Sequence, residues 1–437
     1  MESPNPIVPD LPPDSSLTVP AKTEMADRNF VHIALIIVFG MIATTLAQTQ
    51  VLGKLPIQNL LKGHLHVSRE QMAAFFFWAG LAWYCKPVAG LLTDAFPLFR
   101  TRRRWYLLIS SICACGCWIA LGLVPHTYKA LLLAAIVVEA CLVMASTVVG
   151  GFLVEAGQAL QATGRLTAIR MLVMNACLLV QGPVAGFLAS GAFMIAAGAN
   201  AAVALSIFPI AYLYLREKPT TTAKTAVFIN ALDQLKKIGR SKTMWLALLF
   251  IGLFYFAPGF STLLYYRQTD QLKFTQQFIG NLNAIDGGAG VLAAILYSRL
   301  IRRLNIKTII FWGIATTVVG TMFYLFYNNK TEAMLVEAEY SFFFFMTDVA
   351  LTDLAARATP SGCEGLGYAL ILSVRNIAYL GADYVGSHFA DKYNIPFSKM
   401  VYVNAGTTAI VLVLLPLMSR LSPVLMTSVD KSAAKEK

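Results

Sequence analysis

Charged side chains stand at intervals inside stretches that are otherwise apolar: Glu139, Arg170, Asp286, Glu337, Glu339, Asp348, Asp353, Arg375 and Asp383. Inside a lipid bilayer each such group costs roughly 2.5–3.5 kcal/mol on insertion scales, so it faces a protein interior or a water-filled path. Glu139, Asp286 and Arg375 fall near the middle of their apolar runs, with Arg170 and Asp348 somewhat toward one end. Glu337 and Glu339 lie near the opposite end, where hydration is the simpler reading. A guanidinium pairs with carboxylates in a bidentate way, which makes Arg170 and Arg375 candidates to bind an anionic solute. Tyr255 offers a flat ring to stack on a heterocycle, and Gln48 adds a polar group. Glu139, Asp286 and Asp348 are carboxylates able to take up and release a proton, the chemistry that coupling to a proton gradient requires. A structural ion pair that welds helices together is the alternative for Arg375 and Asp286.

The elements that must position these groups are membrane helices. Hydrophobic residues make up 57% of the chain and charged residues 13%, with mean hydropathy +0.62. A soluble domain has about a quarter charged residues. A spanning helix takes about 20 apolar residues. Runs of that kind fall near 30–50, 70–93, 105–124, 128–153, 166–188, 192–215, 243–266, 275–298, 306–327, 333–356, 365–388 and 399–419, which predicts an all-α protein of twelve spans. The net charge of +12 is gathered in alternate loops, at Arg100–Arg104, Arg165, 216–242, Arg299–Lys307 and Arg357. That bias places these loops, and both chain ends, in the cytoplasm. It also argues for membrane topology and against nucleic-acid binding.

Two six-span halves follow, 29–215 and 243–419, joined by a cytoplasmic linker over 216–242. Residues 1–28 and 420–437 are expected as cytoplasmic tails. Residues 1–28 lack the basic start and apolar core of a cleaved signal peptide. In the linker, Val227, Phe228, Ala231, Leu235 and Ile238 share roughly one helical face beside Lys236, Lys237 and Arg240. This pattern suits a helix on the inner leaflet, or a solvated linker. In a fold of three-helix repeats every third helix is outer support. The third, sixth, ninth and twelfth spans have no charge in their interiors, so the costly groups fall on helices free to line a central cavity.

One turn carries a motif. It reads Trp83-x-x-Lys86-Pro87-x-x-Gly90-Leu-Leu-Thr-Asp94-x-x-Pro97-x-Phe99-x-x-Arg102-Arg103-Arg104-x-Tyr106. Gly90 through Asp94 resembles the loop between the second and third helices of major facilitator transporters. The longer string is similar to the signature of their folate–biopterin transporter family. Pro360-x-Gly362-x-Glu364 followed by Ser373-x-x-Asn376 resembles a second stretch of that family. Where the family's fourth helix usually has aspartates before the glutamate matched by Glu155, this chain has Ser146 and Gly150. The resemblance implies the major facilitator fold and a gate in which Asp94, framed by Lys86, Pro87, Gly90 and Arg102–Arg104, docks near the start of the eleventh span. There, Ser361 and Glu364 have the spacing of a capping box.

The expected function is secondary active transport of a small, anionic, folate- or pterin-like solute by alternating access, with proton coupling as symport. The alternatives are a muropeptide permease, a drug exporter, or a membrane sensor that binds without transporting. No nucleotide-binding loop, nucleophile elbow or metal-spaced His/Cys set is present, so an enzyme, a cofactor and a metal site are not expected. The seven cysteines lie in or beside the apolar runs and suit small buried thiols. A monomer in the plasma or inner membrane completes the expectation.

Overall fold

In a computed structural model, residues 19–99, 101–217, 224–301 and 303–421 are described, and the tail positions 1–18 and 422–437 fall outside them. The described chain is helical apart from an isolated bridge between Leu98 and Thr101. Its helices group into twelve successive spans. The first six are Val19–Leu46 continued by Lys54–Gly63, Arg69–Ala79 continued by Leu81–Tyr84 and Lys86–Ala95, Arg104–Leu123, Tyr128–Ala159, Thr163–Ser190, and Phe193–Leu205 continued by Ile207–Tyr214. After a connecting helix, Lys224–Arg240, come Lys242–Tyr255 continued by Ser261–Tyr266, Gln276–Leu300, Ile306–Phe323, Lys330–Ala358, Glu364–Lys392 and Phe397–Leu421.

Seven of these, the third to sixth, eighth, ninth and twelfth, are long and apolar enough to cross a membrane by length and composition. The others are broken, or carry the charges singled out above. Several spans start on a side-chain cap, which relieves the free N–H groups of the first turn. Ser68 accepts from Gln71 N in a capping box, Ser241 accepts from Met244 N, and Asn329 accepts from Glu332 N.

The first span corrects the sequence reading. It does not end at residue 50: after a break over 47–53 it resumes and runs to Gly63. Lys54 and Lys62, which fall between the first and second predicted spans, are helical. The seventh span breaks likewise after Tyr255, at Pro258 and Gly259, and resumes at Ser261. The two halves meet where the fifth and eighth spans cross. A Cβ on Gly280 would collide with the backbone of Gly182 and Gly186, and one on Gly287 with the carbonyl of Leu178. Small residues let membrane helices approach in this way. One buried apolar cluster runs through both halves, from Leu61, Phe75 and Trp118 to Leu263, Tyr327 and Val401.

The linker contains a helix, Lys224–Arg240. Ile238 enters the core, whereas Ile229, Leu232 and Leu235 are exposed. Lys237 donates to the Ser361 carbonyl at 2.9 Å and so ties the helix to the second half. The side chains of Val227 and Phe228 lie outside the described residues.

Candidate functional site

A cavity of about 380 Å³ lies between the halves. The first two spans contribute Gln50, Lys54, Gln58 and Phe76, and the remaining wall comes from the seventh to twelfth spans. Its position follows from the helix breaks, which expose backbone groups that water or protein must satisfy. Around the seventh-span break, Asn404 of the twelfth span donates to the carbonyls of Ala257 and Pro258 at 3.4 and 3.0 Å. Asp383 of the eleventh span accepts from Thr262 N at 3.0 Å and from its hydroxyl at 2.6 Å. The ninth and twelfth spans therefore reach the cavity through Thr317, Tyr324, Asn404 and Thr408, beyond the outer-support role expected of them.

Three carboxylates line the cavity: Asp286, Glu337 and Asp383. Glu337 is buried rather than hydrated, and both its oxygens are occupied. Tyr324 donates to Oε2 at 2.7 Å and Tyr327 to Oε1 at 3.2 Å. Asp286 accepts from Ser341 at 2.7 Å through Oδ1. Lys54 faces it from the first half, near enough to act on it electrostatically. Aromatic rings complete the wall, with Tyr340 and Phe344 stacked at 5.7 Å and 19°.

Tyr255 belongs to the same wall and leads to a second group of charges. Its hydroxyl donates to Asp348 Oδ1, and Arg375 pairs with that same oxygen at 2.7 Å. The Arg375 guanidinium lies 5.1 Å from the centre of the Tyr255 ring, a cation–π contact. The seventh, tenth and eleventh spans thus meet in one triad. It lies beyond the cavity toward the arginine-rich side, because Asp348 and Arg375 are closer to the arginine-rich ends of their spans than Glu337 and Asp383 are. Arg170 and Lys86 are near each other there, and Arg170 and Arg375 both act on Tyr368. Lys86 has a hydroxyl partner, Ser146, at 3.2 Å, and lies 5.0 Å over the Trp83 ring.

The expected site residues therefore separate. Tyr255 and Asp286 reach the cavity, Arg375 and Asp348 pair beneath it, and Arg170 sits beside Lys86. Two expected residues do not join them. Gln48 donates to the Thr44 carbonyl of its own helix at 2.6 Å, because the break that follows turns Gln50 toward the cavity instead. Glu139 is fully buried among the first, second and fourth spans, where it accepts from Thr49 N at 2.7 Å, from the Thr49 hydroxyl and from Trp83 Nε1 at 2.6 Å. Lys54, Gln50, Glu337 and Asp383 join the cavity wall beyond the site residues expected from the sequence. Lys54 and Gln50 follow from continuing the first span past its break. Asp383 follows from the Thr262 that needs it.

Of the expected gate, Arg103 binds Glu155, and the backbone N–H groups of Arg103 and Arg104 both donate to Glu217 Oε2 at 3.0 Å. Arg104 also donates to the Tyr212 carbonyl at 3.0 Å, and Arg102 is engaged as well. Pro87 stands in the first turn of Lys86–Ala95, where its missing N–H costs nothing, and the Gly90 carbonyl accepts from Thr93 at 2.9 Å. Cys363, not Ser361, stands at the N-cap of the eleventh span. The eleventh span starts at Glu364 after Cys363, because Gly362, at φ 78°, turns the chain and leaves Ser361 outside the helix. The side chains of Asp94 and Glu364 lie outside the described residues.

At the arginine-poor rim two ion pairs, Lys62 with Asp270 and Arg69 with Asp391 at 2.6 Å, join the halves, and His388 meets Glu70 at 2.9 Å beside them. Tyr266 donates to the Val67 carbonyl beside them, and Lys62 lies 4.5 Å over the Tyr266 ring.

The BT1 family model matches residues 48–437. The folate-biopterin transporter of Synechocystis sp. is 26% identical over 361 residues, covering 77% of this chain and 71% of that protein. Folate transporter 1 of Plasmodium falciparum is 21% identical over 382 residues, with 81% and 73% covered. Among solved structures, a D-xylose-proton symporter superposes with a TM-score of 0.64 at 15% identity, covering 90% of this chain and 97% of that one. An auto-inhibited POT family peptide transporter gives 0.63 at 13% identity, covering 89% and 96%. These structures establish the fold, which is that of the major facilitator transporters.

Proposed function

This chain belongs to the BT1 family, and on that premise we propose that it is a secondary active transporter of a folate- or pterin-like solute, working by alternating access. The observation that carries the reading is the cavity walled by both halves, with the arginine-poor rim tied across the halves by ion pairs. A carrier needs such a chamber at the interface of its repeats, together with a rim that can part. The arginine-rich loops support a cytoplasmic position for that side and for both ends of the chain.

The solute meets flat aromatic walls in the cavity, and its anionic part meets Arg375 and Arg170 beneath. Asp348 competes for Arg375. An arriving carboxylate displaces it, and the freed aspartate takes a proton, which is how solute and proton movement are linked. Asp286 is the second proton site. The motif around Lys86, Pro87, Gly90, Asp94 and Arg102–Arg104 works as the gate on the cytoplasmic side. The protein acts as a monomer in a plasma or inner membrane.

The test is uptake of labelled folate and pterin by proteoliposomes under an imposed pH gradient. Uptake above protein-free vesicles supports transport, and its loss on adding a protonophore supports coupling. Vesicles that bind the label but never accumulate it would favour the sensor.

A further inference from the structure

The cavity and the chamber beneath it have opposite electrostatic character. The cavity has Asp286, Glu337 and Asp383 against Lys54, whereas Lys86, Arg170 and Arg375 gather on the arginine-rich side. A uniformly anionic solute fits only the second region. The three cavity carboxylates are also not equivalent. Glu337 spends one oxygen on Tyr324 and the other on Tyr327, and Asp383 spends both on Thr262. Asp286 accepts one bond, from Ser341 at Oδ1, and its Oδ2 has no hydrogen-bond partner among the described residues. It is the cavity carboxylate with an acceptor to spare.

We infer that Asp286 is the specificity-determining residue for the heterocyclic end of the solute, recognising two adjacent N–H donors on one edge of a planar ring. A carboxylate accepts such a pair through two parallel hydrogen bonds, which sets orientation as well as affinity. The 2-amino group and neighbouring ring N–H of a pterin form that edge. The stacked pair Tyr340 and Phe344 forms part of the wall close by, immediately before and three residues after Ser341, whose hydroxyl binds Asp286. Lys54, on the opposite half, faces the acceptor groups of the same ring. The anionic tail then extends past Tyr255 toward Arg375. This assignment rests on the transport reading above and specifies which end of the solute occupies which region.

The experiment compares equilibrium binding of pterin and lumazine to the purified wild-type protein in detergent. Lumazine keeps the ring and replaces the 2-amino donor with a carbonyl, which would set an acceptor against Asp286. Leaving that carboxylate unpaired should weaken lumazine roughly tenfold to a hundredfold relative to pterin. In Asp286→Asn the preference should collapse to within about twofold, with the melting temperature reporting that the variant is folded. Equal binding of the two rings to the wild type overturns the inference, as does a preference that survives in folded Asp286→Asn. If that variant fails to fold, the wild-type comparison decides alone. Absence of binding by both pterin and folate would overturn the transport reading as well, so the two failures are distinguishable.

Discussion

Glu139 accepts hydrogen bonds from both the backbone N–H and the hydroxyl of Thr49, a residue inside the break of the first span. Asp383 does the same for Thr262 where the seventh span resumes. Each half thus uses a carboxylate from a neighbouring helix to satisfy a break in its own first helix. A break in a membrane helix is tolerated where its freed groups find partners. These two breaks bring Gln50, Lys54 and Thr262 to the cavity wall.

Glu139 is therefore expected to govern stability rather than proton flow. Glu139→Ala removes an acceptor shared by Thr49 and Trp83, and each buried donor left unsatisfied costs about 1–3 kcal/mol. Glu139→Gln keeps one acceptor and should lose less. Thermal unfolding in detergent should rank wild type above Gln above Ala, and proton-driven uptake per folded molecule should stay within about twofold of wild type in Glu139→Gln. Loss of that uptake with unchanged melting would return Glu139 to the proton path.

The Asp348–Arg375 pair makes a different prediction. Asp348→Asn frees the guanidinium, so equilibrium binding of folate should tighten by about tenfold, roughly 1.4 kcal/mol, while proton-driven accumulation falls. Arg375→Gln should abolish uptake with expression retained. Radioligand binding and uptake measured on the same preparations check both. An Asp348→Asn variant that accumulates solute like wild type would remove this pair from coupling.

At the arginine-poor rim each ion pair alone is worth little, about 0.2–1 kcal/mol for exposed pairs. Single substitutions there should change transport less than threefold. Joining Lys62→Cys to Asp270→Cys with a short linker that forms a disulfide with each thiol should block counterflow, and reductant, by cleaving those disulfides, should restore it. Full activity of the cross-linked protein would mean that the rim does not part during transport.

The crossing of the fifth and eighth spans predicts a packing defect. In Gly280→Val a Cβ meets the backbone of Gly182 and Gly186, which cannot move aside as a flexible side chain would. The melting temperature should fall well below that of a control such as Gly198→Ala, where a Cβ meets open space. Equal melting temperatures would contradict the close crossing.

Much of this architecture was legible in the sequence because bilayer physics leaves few alternatives. Apolar runs, arginine-rich alternate loops and the Gly90–Asp94 motif together indicated the fold. The costly charges at Asp286, Asp348 and Arg375 pointed to the inner wall. What stayed hidden depended on breaks. A helix that stops at Leu46 and resumes at Lys54 looks like a span end followed by a loop, so nothing in the sequence assigns Lys54 to the cavity wall. Glu139 reads as a candidate proton site from its depth in the apolar run, and its partners, Thr49 and Trp83, come together only through the fold. Ser361 and Glu364 have capping-box spacing, but the positive φ of Gly362 starts the helix later than that spacing implies.

The central claim is that the cavity belongs to a carrier. Proteoliposomes preloaded with unlabelled pterin and diluted into trace labelled pterin test it most directly. A carrier predicts a transient overshoot, with internal label rising several-fold above the external concentration and then decaying as the gradient runs down. Entry of label no faster than into protein-free liposomes, from protein shown to be folded and to bind pterin, would contradict the account.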